Sequence, residues 1–114
     1  MLAAGQRLRR SDDFRVVMRR GGKAGTQSVV VYLAQTGNAK SIAGFAVSRA
    51  VGGAVTRNLI KRRLRSIMAD LLPALPAGTG VVVRALPAAA ETSFARLQRD
   101  VADAVARAQA KVSS

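Results

Sequence analysis

The segment AGFAVSRAVGGAVTRNLIKRRLRSIMA, residues 43 to 69, contains the pattern that decides the fold of the chain. An apolar stretch, the Gly52-Gly53 pair and the most basic part of the sequence follow one another directly in it. The apolar stretch predicts a strand, the glycines predict a turn, and the basic part has the spacing of an amphipathic helix. We expect the rest of the chain to support this strand-turn-helix unit.

The predicted basic helix has two chemically different faces. At about 100° per residue, one stripe is apolar and consists of Ile60, Leu64, Ile67, Met68 and Leu71. The opposite side is polar and basic, with Asn58, Lys61, Arg62 and Arg65. Arg57 lies in the first turn, and Arg63 lies on the flank between the two faces. One face is therefore predicted to pack on a core and the other to meet a partner.

The density of positive charge on this helix is its second notable property. Five of the nine residues from Arg57 to Arg65 are Lys or Arg, and none is acidic. Cations at this spacing repel one another, and those in the first turn also oppose the helix dipole. The arrangement costs stability until an anion neutralises it, which indicates a polyanionic partner. A solvated basic face is the alternative interpretation, and the lack of interspersed Asp or Glu counts against it.

Several short motifs occur in a fixed order along this segment. They are Gly-Phe-Ala-Val-Ser-Arg at 44–49, Val-Gly at 51–52, Ala-Val at 54–55, Arg-Asn at 57–58 and Lys-Arg-Arg-Leu-Arg at 61–65. In this order they resemble the signature of the bacterial ribonuclease P protein subunit. The family motif has a second Arg where this chain has Leu59, and Gly53 replaces a commoner Asn. The resemblance extends more weakly from about Arg7 to the C-terminal helix.

The resemblance implies both a function and a set of site residues. That family assists a catalytic RNA, which holds the catalytic Mg²⁺, in removing the 5′ leader from precursor tRNA. Contacts to the catalytic RNA are implied for Arg49, Arg57, Asn58, Lys61, Arg62, Arg63 and Arg65. A cleft for the single-stranded leader is implied at Phe14, Met18, Tyr32 and Ser48. Arg49 could serve either surface. Met18 stands where relatives often carry a second aromatic residue. One protein per RNA is expected.

Composition limits the classes of protein to be considered. The chain has 114 residues and a formal net charge of +13, which makes nucleic acid the leading partner. Its length predicts one domain over residues 1–114, which we expect to bind RNA. The ends at 1–6 and 111–114 show no strong pattern and are expected to be loose. No apolar run approaches the roughly 20 residues of a membrane-spanning helix, and the first residues lack the apolar core of a secretory signal. The absence of cysteine is compatible with the cytoplasm, where we expect the protein.

The predicted fold is a two-layer α/β (α+β) sandwich with the order α-β-β-α-β-α and a mixed sheet, with room for an additional short strand. A first helix begins at Ser11, which can cap it, and ends at the Gly21-Gly22 pair. The last helix spans about Thr92 to Ala110 and is expected to close the sheet through an apolar stripe of Phe94, Leu97, Val101, Ala104, Val105 and Ala108.

Three strands are predicted between these helices. Ser28 to Ala34 is rich in β-branched residues, and the loop signal at 36–38 leads into an antiparallel strand at about Ser41 to Ser48. Gly80 to Ala85 is the last strand, and its continuous valines predict an interior position covered on both faces. The crossover through the basic helix would be right-handed by general physics, but the resembled family has a left-handed one, which we expect here.

Alternation along the first two strands predicts a shallow sheet face. Val30 and Tyr32 point to one side of the first strand, and the small residues Gly44, Ala46 and Ser48 share a side of the second. Beside the helix that carries Phe14, this shallow face would form a floor for an extended strand of nucleic acid.

The chain is poorly equipped for unaided catalysis. It contains no histidine and no cysteine, so the commonest general base, a common metal ligand and the thiol nucleophile are missing. Its six acids are Asp12, Asp13, Asp70, Glu91, Asp100 and Asp103. We interpret the first pair as helix-capping residues and the last pair as partners of nearby arginines. We therefore predict no catalytic residue and no metal site in the protein, which agrees with a catalytic RNA partner.

Two other functions fit parts of the sequence. A structural RNA-binding protein of ribosomal type could share the composition and the α/β layout, although the combined order of motifs counts against it. A DNA-binding regulator could place the basic helix in a major groove. A strand precedes that helix, however, where a helix-turn-helix protein would have its first helix.

Overall fold

The computed structural model describes residues 11–37 and 40–113, with only the backbone described for residues 11–14 and 113. The elements in chain order are α1 (Ser11–Arg20), β1 (Gly22–Gly25), β2 (Val29–Gln35), β3 (Ile42–Ala46), α2 (Ala54–Leu71), β4 (Thr79–Ala85) and α3 (Phe94–Ser113). Short 3₁₀ turns at Leu72–Ala74 and Pro87–Glu91 follow α2 and β4. Pro73 and Pro87 lie in these two turns, because Pro cannot continue a helix interior.

The four strands form one mixed sheet in the order β1-β2-β4-β3. β2 pairs antiparallel with both β1 and β4, and β3 pairs parallel with β4. β2 and β3 run antiparallel to each other, as predicted, but β4 lies between them, so they do not form a hairpin. The physical reason lies in β4: Val81, Val82 and Val83 are fully buried, so the backbone groups of this strand are shielded from water and need a hydrogen-bonded strand on each side. The handedness of the crossover from β3 to β4 stays a prediction.

The main core lies between the sheet and the two long helices. Alternate residues of β2, namely Val29, Val31 and Leu33, point into it. The predicted stripe of α2 enters it with Ile60, Leu64, Ile67 and Met68, and α3 contributes Leu97, Val101, Ala104, Val105 and Ala108. Phe94 is an exception to the predicted α3 stripe, because it is the first residue of the helix and is exposed.

A smaller cluster lies on the opposite face of the sheet. Val17 of α1 packs there with Tyr32, Ala34 and Val82. α1 ends at Arg20, and the N–H of Gly21 donates to the carbonyl of Val17 at 2.8 Å. A Cβ atom at Gly21 would lie 2.7 Å from the carbonyl oxygen of Leu33 and closer still to that of Val17. The end of α1 can therefore approach β2 only because residue 21 has no side chain.

The short strand β1 forms one edge of the sheet, and α3 covers it. Arg107 Nη2 donates to the carbonyl of Gly25 at 2.6 Å, and Lys111 Nζ donates to the carbonyl of Lys23. Val112 also packs against the main core. The prediction of a loose end at 111–114 is therefore wrong for residues 111–113, because α3 continues to Ser113. The other predicted loose segment, residues 1–6, lies outside the described residues.

Two acidic residues of α3 pair with arginines of the same helix. Asp100 and Asp103 form ion pairs with Arg96 and Arg107 at 3.3 and 3.0 Å, as expected. Asp100 also accepts a 2.6 Å hydrogen bond from buried Ser28, which attaches the start of β2 to α3.

Within residues 11–37 and 40–113, no helix is both long and apolar enough to cross a membrane.

Candidate nucleic-acid interface

The turn between β3 and α2 sets the position of the basic helix. The N–H groups of Val51 and Gly52 donate to the carbonyls of Ser48 and Arg49 at 3.1 and 3.2 Å. Val51 is buried in the main core, whereas Ser48 and Arg49 are exposed. No side chain caps α2, and its first turn has no acid. The free N–H groups at the positive N-terminal end of α2 must therefore donate to an external anion or to water.

One side of α2 forms an open groove of about 490 Å³. Its lining residues are Val55, Asn58, Lys61, Arg62 and Arg65. They recur every three or four positions, so they lie along one side of the helix. The structure thus brings together four of the residues predicted to contact RNA, and a concave surface with three cations is suited to a phosphate backbone.

Two guanidinium groups on this helix contain buried donors without acceptors. The Nε atoms of Arg57 and Arg65 are shielded from solvent and have no hydrogen-bond partner among the residues described. A buried donor left in this state costs about 1 to 3 kcal/mol. Rotation of either side chain would let its Nε donate to a phosphate oxygen and remove that cost, so both arginines are suited to an anionic ligand.

Arg63 lies on a different side of α2 from the groove. Its Nη1 atom donates to the carbonyl of Thr92 at 3.4 Å, next to the start of α3. This contact gives Arg63 a part in joining α2 to the segment before α3. Its predicted contact with RNA remains untested, and it is not a lining residue of the groove.

Two apolar side chains lie near the start of α2, and one of them stands where a cation was expected. Leu59 is 36% exposed and Val55 is 86% exposed, and they lie one turn apart near the start of α2. Leu59 is the residue that replaces the second Arg of the family motif. At this position the helix therefore offers an apolar surface where the motif would place a phosphate contact.

The predicted leader-binding residues occupy α1 and the sheet face beneath it. Met18 is 36% exposed and follows Val17, which packs on the sheet. Tyr32 is only 7% exposed, and Lys23 Nζ lies 5.7 Å from the centre of its ring. Most of the tyrosine ring is thus covered within the small cluster. Ser48 is exposed beyond the end of β3, and the side chain of Phe14 lies outside the described part of α1.

One exposed cation on the sheet was missed in the sequence analysis. Arg84 is exposed, although the residues before it in β4 are all buried. The expectation that β4 is covered on both faces therefore holds through Val83 and fails at Arg84. A lone charged residue at the end of a valine run was the available signal, since such a residue is costly to bury without a partner.

The described residues contain no cluster suited to a protein-bound metal ion. No group of three or more His, Cys, Asp or Glu side chains within residues 11–37 and 40–113 could hold one. The structure thus offers no set of donors for Mg²⁺ in this part of the chain.

Comparison with known proteins gives the family. The family model described as Ribonuclease P matches residues 2–109. The chain belongs to this family. The ribonuclease P protein component of Salinispora tropica is 45% identical over an alignment of 129 positions, which covers 96% of this chain and 95% of the relative. That of Acidothermus cellulolyticus is 54% identical over 99 residues, covering 85% of this chain and 82% of the relative.

Solved ribonuclease P proteins have the same fold. The structure from Thermotoga maritima matches with a TM-score of 0.74 and 27% identity, over 85% of this chain and 92% of that one. A mutant ribonuclease P protein from Staphylococcus aureus with defective mRNA degradation activity matches with a TM-score of 0.81 at 23% identity, over 90% and 86% of the two chains. The predicted two-layer α+β fold with a mixed sheet is confirmed.

Family membership also decides between the functions left open by the sequence. It supports the protein subunit of ribonuclease P over a ribosomal RNA-binding protein. As a ribonuclease P component, the chain is part of an endoribonuclease ribonucleoprotein that acts in tRNA processing and contains an RNA partner.

Proposed function

We propose that the chain assists ribonuclease P through binding alone, with α2 on the catalytic RNA and the sheet face beside α1 on the 5′ leader of precursor tRNA. The observation that carries this proposal is the groove on α2 together with the unpaired Nε atoms of Arg57 and Arg65. An interface built for phosphates explains both features with one ligand.

The spacing of cations along α2 suits a phosphate backbone. Arg57, Lys61 and Arg65 are four residues apart, so they succeed one another at about 6 Å along the helix axis. Arginine can bind a phosphate with two parallel hydrogen bonds, while lysine acts as a point charge. Arg62 and Asn58 extend the same surface toward solvent. We assign this row to the folded backbone of the catalytic RNA.

The leader is assigned to the sheet face that α1 partly covers. Met18 and Ser48 are exposed there or near its edge, and the ring of Tyr32 forms part of the layer beneath α1. Base stacking on aromatic side chains gives affinity that tolerates sequence variation, as a subunit serving many precursors requires. Phe14 completes this set on the evidence of the family resemblance.

Chemistry is assigned to the RNA partner. The chain has no histidine or cysteine, and its described residues hold no metal-binding cluster. Mg²⁺ would therefore be held by RNA, and the protein would contribute by neutralising backbone charge where RNA, substrate and metal ions meet. We propose one protein per RNA in a single RNA-binding domain, and the cytoplasm as the place of action.

A cleavage assay tests the division of roles between protein and RNA. At low Mg²⁺, precursor tRNA would be incubated with the catalytic RNA, with the protein, and with both. We expect no leader removal by the protein alone and much faster removal by the mixture than by the RNA alone, because bound cations replace part of the missing Mg²⁺. Leader removal by purified, RNA-free protein would contradict the assignment of chemistry to RNA.

The predicted role of Phe14 can be tested by leader length. If a base stacks on Phe14, the Phe14→Ala substitution should weaken binding of precursors with long leaders by about 1 to 3 kcal/mol. A precursor with a one-nucleotide leader should be bound almost as before, and assembly with the catalytic RNA should not change. If Phe14 is instead a core residue, truncation would cost about 3 to 5 kcal/mol of stability. Thermal melting of the free protein separates the two outcomes.

A further inference from the structure

Arg84 occupies an unusual place in the sheet. β4 has a hydrogen-bonded strand on each side, and Arg84 is its one exposed residue. A side chain on an interior strand reaches solvent only where nothing covers its face of the sheet. The exposure of Arg84 therefore marks an uncovered part of the sheet.

The register of the strands defines this uncovered part. On the face that carries α1, side chains from β2, β4 and β3 form three successive rows: Ala34-Gly80-Ile42, Tyr32-Val82-Gly44 and Val30-Arg84-Ala46. We call the third row the outer row. It lies two residues, or about 6.6 Å, beyond the row of Tyr32 along β4.

α1 covers the first two rows and leaves the outer row open. A Cβ atom at Gly80 would lie 2.9 Å from Cγ2 of Val17, so α1 is pressed closely on the first row. In the second row Val82 is fully buried and Tyr32 nearly so. In the outer row Val30 and Ala46 are only partly buried, and Arg84 is exposed between them. The outer row is thus a flat apolar strip with one cation at its centre.

Arg84 has no counterion in the part of the chain that the structure describes. It takes part in none of the ion pairs or hydrogen bonds found there. The sequence outside residues 11–37 and 40–113 contains no Asp or Glu. The remaining candidates within the chain are Asp12 and Asp13, whose side chains are not described. An exposed cation amid apolar residues suits an anionic ligand that also has an apolar surface.

The dimensions of the outer row favour one extended nucleic-acid strand. The outer row spans three strands, so its width is two inter-strand spacings, or about 10 Å. A single strand can lay an apolar base or sugar surface on Val30 or Ala46 and place a phosphate on Arg84, whose charge binds the backbone without sequence preference. We propose that Arg84 binds a phosphate of the precursor leader between the contacts of the leader with Tyr32 and with Ser48. This inference rests on the leader site of the proposed function.

Arg84 would contact only leaders that are long enough to lie along this face of the sheet. A one-nucleotide leader is too short to cross the outer row on a path that joins Tyr32 to Ser48, because that row lies about 6.6 Å from the row of Tyr32 on the side of Ser48. A leader of about eight nucleotides would reach it. The contribution of Arg84 should therefore depend on leader length, which a purely structural role would not produce.

The test uses the assembled ribonucleoprotein and two precursors, with leaders of one and about eight nucleotides. We expect Arg84→Gln to weaken binding of the long-leader precursor about threefold to tenfold, as for one solvent-exposed charged contact. The log-log salt slope should become shallower by about 0.7, the value for one phosphate of a single strand. Binding of the short-leader precursor should not change, and Arg84→Lys should restore most of the affinity and the slope.

Controls distinguish failure of this inference from failure of the proposed function. Arg99→Gln removes an exposed cation from α3 and should leave both precursors unaffected. If the wild-type complex prefers long leaders and Arg84→Gln does not change that preference, Arg84 is not a leader contact although the leader site stands. If the wild type shows no such preference, both proposals fail. A lowered melting temperature with equal losses on both precursors would show that Arg84 supports the fold and would overturn the inference.

Discussion

Replacing Arg57 and Lys61 together with Ala is expected to weaken assembly with the catalytic RNA by about two orders of magnitude. Arg57 has a buried Nε without an acceptor, and Lys61 lines the groove on α2. Each lost phosphate contact to a charged side chain should cost about 1.5 kcal/mol, or roughly tenfold in affinity. The loss should appear with or without substrate, because these residues are assigned to the RNA partner.

The affinity for the catalytic RNA should also depend on salt concentration in a way that differs between the wild type and the double variant. We expect a wild-type log-log slope of about −3 to −5, and a slope shallower by about two in the double variant, from counterion release. Arg99→Glu is a matched control, since it changes the net charge of the protein equally at an exposed position of α3. An almost flat wild-type slope, or an equal loss of affinity in the control, would show that α2 is not the phosphate-binding element.

The largest effect on stability is expected for Gly21→Ala. The added Cβ would collide with two backbone carbonyls, those of Val17 and Leu33, and backbone cannot move aside as a flexible side chain can. We expect a loss of about 2 to 3 kcal/mol in the free energy of unfolding, as for overpacked sites. The melting temperature should fall by about 10 °C or more. Leader binding should suffer before RNA assembly, because α1 would be displaced while α2 keeps its own packing.

Gly53→Ala is the control for that substitution. Gly53 precedes α2 in an extended conformation, and no atom would lie within 4 Å of an added Cβ. We expect a melting temperature close to that of the wild type. Similar melting temperatures for the two alanine variants would mean that α1 can move off β2 at little cost. The small cluster around Val17 would then contribute little to folding.

The sequence predicts most strongly those elements whose pattern is local. The apolar stripe of α2 was identified by its spacing, and Ile60, Leu64, Ile67 and Met68 are indeed buried. The alternation along β2 correctly separated Val31 from Tyr32, which enter different clusters on the two faces. Both patterns follow from the geometry of one element and require no knowledge of its neighbours.

The order of the sheet depends on distant parts of the chain and was therefore harder to predict. A loop signal after β2 predicted an antiparallel strand, which β3 is, yet β4 enters between the two strands from more than thirty residues later. Nothing local to residues 36–41 indicates that insertion. The strand β1, with the sequence Gly-Lys-Ala-Gly, has little strand propensity of its own and exists because it pairs with β2.

The site was predictable as a helix face, but the role of single side chains was not. Spacing placed Lys61 and Arg62 on the outer side of α2, where they line the groove. Spacing could not show that Arg63 reaches the carbonyl of Thr92, since that contact depends on how α2 meets the segment before α3. The exposure of Arg84 likewise depends on how far α1 extends over the sheet.

The covering of β1 by α3 has a consequence for the protein before it meets RNA. An edge strand normally presents free backbone groups to any other extended chain, which makes it a starting point for aggregation. Here the carbonyls of Lys23 and Gly25 already accept hydrogen bonds from Lys111 and Arg107. A second molecule approaching this edge would have to displace both cations and would meet their charge. The α3 side chains thus close one edge of the sheet to strand exchange between copies of the chain.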